Sequence, residues 1–278
     1  MKKIVLVVLL IGIACLVGVV RSHSRANGSG WPLVINPDQQ SAGNAREEIR
    51  KSYDLSPGAR VEVSGINGWV KIETSASKTA DVYIERIGES QEVLNRRKIT
   101  VESTTTGLTI RGEKGDAGLF SRLFGSSPRE HVTLRVPRQI SLVAKGVNGS
   151  VTSAEIDGPV EVHGINGGVD IAGASGSAEF HGINGNIAVG LKQLDKGIDL
   201  HGINGNIELR LSDDVNADLE THGMNGNVTS DLPNVVVDKK HYGSYSAQIG
   251  KGGNSISASG INGNIRLTRM LTPSPSAV

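Results

Sequence analysis

Four histidines occupy matching places in the chain: His163, His181, His201 and His222. Two residues before each stands an acid, Glu161, Glu179, Asp199 and Glu220 in turn. Side chains two residues apart share one face of a strand, so each acid–His pair would lie side by side if these segments are strands. Imidazole ligates divalent metals and titrates near neutral pH. A stack of such pairs therefore predicts either a weakly held divalent metal or a pH-responsive strip. The plainer expectation is charge balance, in which the histidines relieve repulsion between stacked acids, or duplication of one ancestral unit. Val162, Phe180 and Leu200 alternate with the pairs, so the acid–His strip is expected to face outward.

The chain carries no Gly-x-Ser-x-Gly elbow, no His-Glu-x-x-His and no Gly-rich phosphate loop with Lys. The calcium-binding β-roll repeat is excluded because its Asp is missing from the units. Carboxylates do the work in polysaccharide-cleaving β-helices, but such a site is local, whereas these acids are serial. Cys15 is the one cysteine and lies in an N-terminal apolar run. The body thus has no disulfide, thiolate nucleophile or Cys-based zinc site. The expectation is a protein that is not an enzyme, has no catalytic residue, and uses no cofactor beyond that weak divalent metal.

The elements that would position the strip are read from a repeat. Gly-Ile-Asn-Gly or a close variant begins at Gly65, Gly146, Gly164, Gly182, Gly202, Gly223 and Gly260, at spacings of 81, 18, 18, 20, 21 and 37 residues. A short alternating strand leads into each copy and another follows, as in Ile198–His201 and Ile207–Leu209. Asn-Gly supplies a tight turn, either closing antiparallel hairpins or forming the corner of a parallel coil. Recurrence of the same residues favours the coil, with like residues stacked one strand spacing apart, about 4.8 Å. The fold expected is all-β: a mainly parallel β-solenoid of roughly ten rungs, with a less regular N-terminal β portion and an N-terminal apolar signal or anchor segment. Asn67, Asn148, Asn166, Asn184, Asn204, Asn225 and Asn262 would then form a hydrogen-bonded structural ladder. Asn186, Asn206, Asn227 and Asn264 follow the motif and suggest a second, partial one.

Composition agrees with a repetitive aliphatic core. Of 278 residues, 36 are Gly, only 3% are aromatic and 37% are hydrophobic, which is too apolar for a wholly disordered chain. Residues 1–26 hold four basic side chains and no acid, so the remainder has 25 basic against 28 acidic residues despite a net charge of +1 overall. A body at −3 offers no footprint for nucleic acid.

Lys2 and Lys3 precede an apolar run, Ile4–Val20, which reads as an export signal. Cleavage after Ala26, retention as a membrane anchor and lipid attachment at Cys15 all compete, retention being slightly favoured. The protein is expected to be exported: anchored in the inner membrane and facing outward, or periplasmic or secreted after cleavage. The proposed divisions are 1–26 as signal or anchor, 27–44 as linker, 45–268 as the β-solenoid body and 269–278 as a disordered tail. Within the body, 45–136 is irregular and 137–268 holds the regular rungs. A short helix is expected over Glu89–Lys98, and a loop over Gly112–Glu130 folds Leu119, Phe120, Leu123 and Phe124 back on the body.

The body resembles the bacterial putative-adhesin family of β-strand-repeat proteins, a domain of unknown function. The resemblance rests on Asp54-Leu55-Ser56-Pro57-Gly58 leading into Val61-Glu62-Val63 and Asn67-Gly68. It also rests on the strand Val132–Pro137, the serial Asn-Gly rungs and the Gly-rich Gly250–Gly253, and covers about residues 45–268. It implies a non-enzymatic, envelope-associated or secreted binding scaffold. Its partners would be an envelope polymer, a partner protein or another cell surface, and the membrane itself if the N-terminal segment is uncleaved. The alternatives are a polysaccharide-active β-helix enzyme and a polymer-forming envelope scaffold.

Overall fold

A computed structural model describes residues 45–114, 126–233 and 235–270. Alternation of aliphatic and polar residues makes most of it strand. The first part holds β1 (Ala45–Asp54), β2 (Ala59–Ser64), β3 (Val70–Ser75), β4 (Thr79–Gly88), the single-turn α1 (Gln91–Asn95), β5 (Arg97–Thr104) and β6 (Gly107–Lys114). There follow β7 (Arg129–Pro137), β8 (Ile140–Lys145), β9 (Val151–Ser153), β10 (Val160–His163), β11 (Val169–His181), β12 (Ile187–His201) and β13 (Ile207–Leu211). The last are β14 (Ala217–His222), β15 (Val228–Ser230), β16 (Val237–His241), β17 (Ser244–Ile249), β18 (Asn254–Ser259) and β19 (Ile265–Arg269).

All nineteen strands join one mixed sheet that curls nearly into a closed barrel around the apolar core. This corrects the mainly parallel β-solenoid expected from the repeat. One reason is the antiparallel pairing at both ends. β1 pairs antiparallel with β4, β4 with β7 and β5 with β6 at one end, and β14 with β17 and β17 with β16 at the other. The other reason is stacking order. β18 lies between β12 and β14, and β19 between β13 and β15, so the last repeat is inserted inside its predecessors. A repeat length fixes the size of a unit but not which unit pairs with which.

Parallel ladders bring like residues into line between those ends. β2, β8, β10, β11 and β12 follow one another with Val63, Ala144, Val162, Phe180 and Leu200 in register. On the adjoining face β3, β9, β11, β12, β13 and β19 do the same with Val70, Val151, Val169, Ile187, Ile207 and Ile265. These side chains are buried, as are Ile66, Val147, Ile165, Ile183, Ile203, Met224 and Ile261 at the second position of the motif. Each repeat therefore sends three aliphatic columns inward.

The motif's two glycines answer different demands. Gly202 has φ +63°, a left-handed turn where a Cβ would meet only ordinary contact with the Gly182 nitrogen at 3.9 Å, whereas a Cβ on Gly205 would lie 2.2 Å from the carbonyl oxygen of Gly185. The first glycine makes the corner, and the second lets successive corners touch.

At the antiparallel end, α1 occupies the core of the stretch expected to be helical. Ser90 caps it by accepting a hydrogen bond from the Val93 N–H at 3.3 Å. The buried Arg86 guanidinium donates to the carbonyls of Leu94 (2.6 Å) and Arg97 (2.5 Å) and pairs with Glu47. The charge and a carbonyl at the helix's C-terminal end are thus satisfied together, though the buried Arg86 Nε has no partner. Beside it, fully buried Glu130 pairs with Arg97 at 2.9 Å and accepts the Asn67 N–H at 2.9 Å.

The proposed signal or anchor (1–26), the linker (27–44), residues 271–278 of the proposed tail and the apolar loop residues Leu119, Phe120, Leu123 and Phe124 lie outside the described residues. Among the described residues no helix is long and apolar enough to cross a membrane. Arg269 ends β19, and the Met270 N–H donates to the Leu211 carbonyl at 2.8 Å.

Candidate binding groove and its polar columns

The motif asparagines form one column, in the spatial order Asn67, Asn148, Asn166, Asn184, Asn204, Asn262 and Asn225. Each Nδ2 donates to the Oδ1 of the neighbour toward Asn67, at 3.0–3.1 Å. Asn67 passes the chain on to the Pro128 carbonyl at 2.8 Å. The N–H of each asparagine from Asn148 onward also donates to the carbonyl of the motif's second residue in the adjacent corner, as Asn204 does to Ile183 at 2.8 Å. Amide side chain and backbone thus bind the corners in parallel.

The histidines do not occupy four successive places. His163, His181 and His201 are consecutive, but the inserted β18 puts Ser259 between His201 and His222. The first two ring pairs stand edge-on, with centroids 5.1 and 5.8 Å apart. The His181 Nε2 meets an Asp199 carboxylate oxygen at 3.0 Å, and the His201 Nδ1 meets the Ser259 hydroxyl at 2.8 Å. The acid column breaks at the same point, where Ser257 stands between Asp199 and Glu220. Glu161 is drawn instead to Arg60, 3.4 Å away, while Glu179 and Asp199 stay in register. Partial burial holds the His163 imidazole below its ordinary value; His181 and Lys145 add to that, and Glu161 and Glu179 oppose it. Among the described residues no three of His, Cys, Asp and Glu converge to hold a metal ion.

A groove of about 820 Å³ runs along the other outward face, across β9, β11, β12, β13, β19 and β15. Its length is about 24 Å at one strand spacing per step. One wall is the column that follows the motif: Ser150, Gly168, Asn186, Asn206, Asn264 and Asn227. The other is Thr152, Asp170, Ala188, Glu208, Arg266 and Thr229, and buried Val169, Ile187 and Ile207 lie between them.

The asparagines of this second column bond differently from those of the first. The Asn206 N–H donates to Asn186 Oδ1 at 2.9 Å, the Asn264 N–H to Asn206 Oδ1 at 3.0 Å, and the Asn227 N–H to Asn264 Oδ1 at 3.0 Å. Tyr245 donates its hydroxyl to Asn227 Oδ1 at 3.1 Å. The oxygens are therefore committed to the protein, and the exposed Nδ2 groups of Asn186, Asn206 and Asn227 are left toward the groove. The column continues past Ser150 to Trp69 and then His131, whose rings stack with centroids 4.8 Å apart and planes 16° apart. Nothing in the sequence distinguished the two columns, because the difference lies in which atom of each amide is used.

No family model and no curated protein matches the chain. Among the solved structures it resembles are putative adhesins and a putative lipid binding protein. One is a putative cell adhesion protein from Clostridium sporogenes, at 14% identity and TM-score 0.34, covering 80% of this chain and 100% of its own. Another is a putative adhesin from Bacteroides fragilis, at 11% identity and TM-score 0.33, covering 80% and 97%. A third, from Parabacteroides merdae, has 10% identity and TM-score 0.29 over the same shares.

Proposed function

We propose that the protein is a non-enzymatic binding module of the bacterial envelope, with an adhesin-type role, that engages an extended partner along its groove. The observation that carries this is the groove itself: asparagine recurs at four successive places along one wall, Asn186, Asn206, Asn264 and Asn227. Repetition suits a long ligand held in many equivalent places, whereas catalysis needs one unlike constellation. Export, read from Lys2, Lys3 and the Ile4–Val20 run, supplies the setting, and binding of this kind needs no cofactor. Capture from intact bacterial envelope by the purified protein tests the reading. Retention of a polymer or surface component, with no turnover of it, is expected. Cleavage of a polysaccharide that stops when a single groove carboxylate such as Asp170 or Glu208 is neutralised would overturn it.

A further inference from the structure

We infer that the groove takes a linear, uncharged or weakly charged glycan, held by a row of amide donors; this rests on the binding role proposed above. The bonding of the second asparagine column carries the inference. Each Oδ1 must face the backbone N–H of the next corner, or that N–H would lose its partner. The amide orientation is thus imposed by the fold, and Asn186 and Asn206 can only turn Nδ2 outward. Adjacent strands repeat the arrangement at about 4.8 Å, so the wall is a line of neutral N–H donors waiting for acceptors. In the first column each Nδ2 already gives one of its two N–H groups to the next asparagine, leaving half as many donors.

The charges on the opposite wall narrow the class of ligand. Arg210 lies 3.1 Å from Asp170 and 3.6 Å from Glu208, and Arg266 lies 2.6 Å from Asp231. With these cations matched by carboxylates, a polyanion meets no unpaired basic row. A peptide adding as a strand needs an open sheet edge with alternating donors and acceptors. The groove is a strand face, whose backbone groups are already spent in the parallel ladders. Sugar hydroxyls and N-acetyl carbonyls are neutral acceptors repeated along a chain. Trp69, exposed farther along the same column, offers a ring that suits the flat apolar face of a sugar.

The test is calorimetry of the full-length protein with hexasaccharides of β-1,4-linked N-acetylglucosamine and of β-1,4-linked glucose. Polygalacturonate and an extended neutral peptide serve as the contrasting probes. Asn186→Asp combined with Asn206→Asp keeps an acceptor for each backbone N–H and removes both outward donors. We expect at least one hexasaccharide to bind, and the double variant to weaken it about tenfold, as expected for two lost hydrogen bonds. Its urea midpoint should stay close to wild type. Equal affinity in wild type and variant would overturn the inference, as would tighter binding of polygalacturonate or of the peptide. If neither hexasaccharide binds while envelope material is still captured, the glycan inference fails and the binding role stands. If envelope material is not captured either, both fail.

Discussion

At the scale of single residues, position within a column decides what each side chain contributes. Asn184 both donates to Asn166 and accepts from Asn204, whereas Asn225, at the end of the row, only donates. Asn184→Ala should cost about 1–2 kcal/mol, and Asn225→Ala clearly less, by urea denaturation. The two glycines of one corner separate in the same way. Gly202→Ala should cost about 1–2 kcal/mol for its left-handed φ, while Gly205→Ala must push neighbouring corners apart and should cost more. His163 adds a pH dependence. Its folded-state pKa lies below the ordinary 6.5, so just below that pH the unfolded chain binds more protons than the folded one. Its share of stability is complete above about pH 6.5 and declines as pH falls toward the folded value. His163→Gln should narrow the gap between urea midpoints measured at about pH 7.5 and about pH 5.5; an unchanged gap would show that His163 does not contribute. The facing charges are Lys145, His181, Glu161 and Glu179, so the gap is best read with all four intact.

Individual elements are held by contacts that differ in kind along the chain. In the repeats, aliphatic alternation and stacked corners suffice. In the stretch from β1 to β7, buried ion pairs carry the connections. Glu130→Gln leaves the half-buried Arg97 without its counter-charge and should cost about 3–5 kcal/mol. Adding Arg97→Met should restore part of that, a coupling that thermal unfolding of the four proteins would measure. The contrast explains what could be read from the sequence. The strand–corner–strand units, the inward Ile of the motif and the outward Asn follow from periodicity alone. So does α1, because Ser90 and its apolar Val93 and Leu94 are local. The β1–β4 ladder could not be read in this way, since it joins Ala45 to Gly88 and Asp54 to Thr79 and only the folded register pairs them.

For the whole molecule, the decisive fact is the order of the repeats in space. Near-identical motifs invite stacking in chain order, and nothing in their sequences marks the last as an insert. Yet β18 and β19 separate β12 and β13 from β14 and β15, which is why the histidine strip is interrupted at Ser259. Truncation after Lys251 should therefore do more than shorten the protein. It removes the common partner of four strands, and β14 to β17 should lose protection from proteolysis while the β2–β12 region is affected less. Unchanged protection of β14 to β17 would show that the insertion adds little.

The inserted repeat also sets a clock. A chain that emerges from its N-terminus makes β12, β13, β14 and β15 well before β18 and β19 exist. Until the final repeat arrives, β12 and β14 have no strand to share on their facing edges, and pairing them directly would shut out the missing pair. Completion of this part of the structure is thereby deferred until β18 and β19 have been made. Under the export proposed above, the chain would have to stay unfolded until it had crossed a membrane, and a fold whose last repeat interlocks with earlier ones suits that requirement. The C-terminal half can settle only when β18 and β19 can reach β12 to β15.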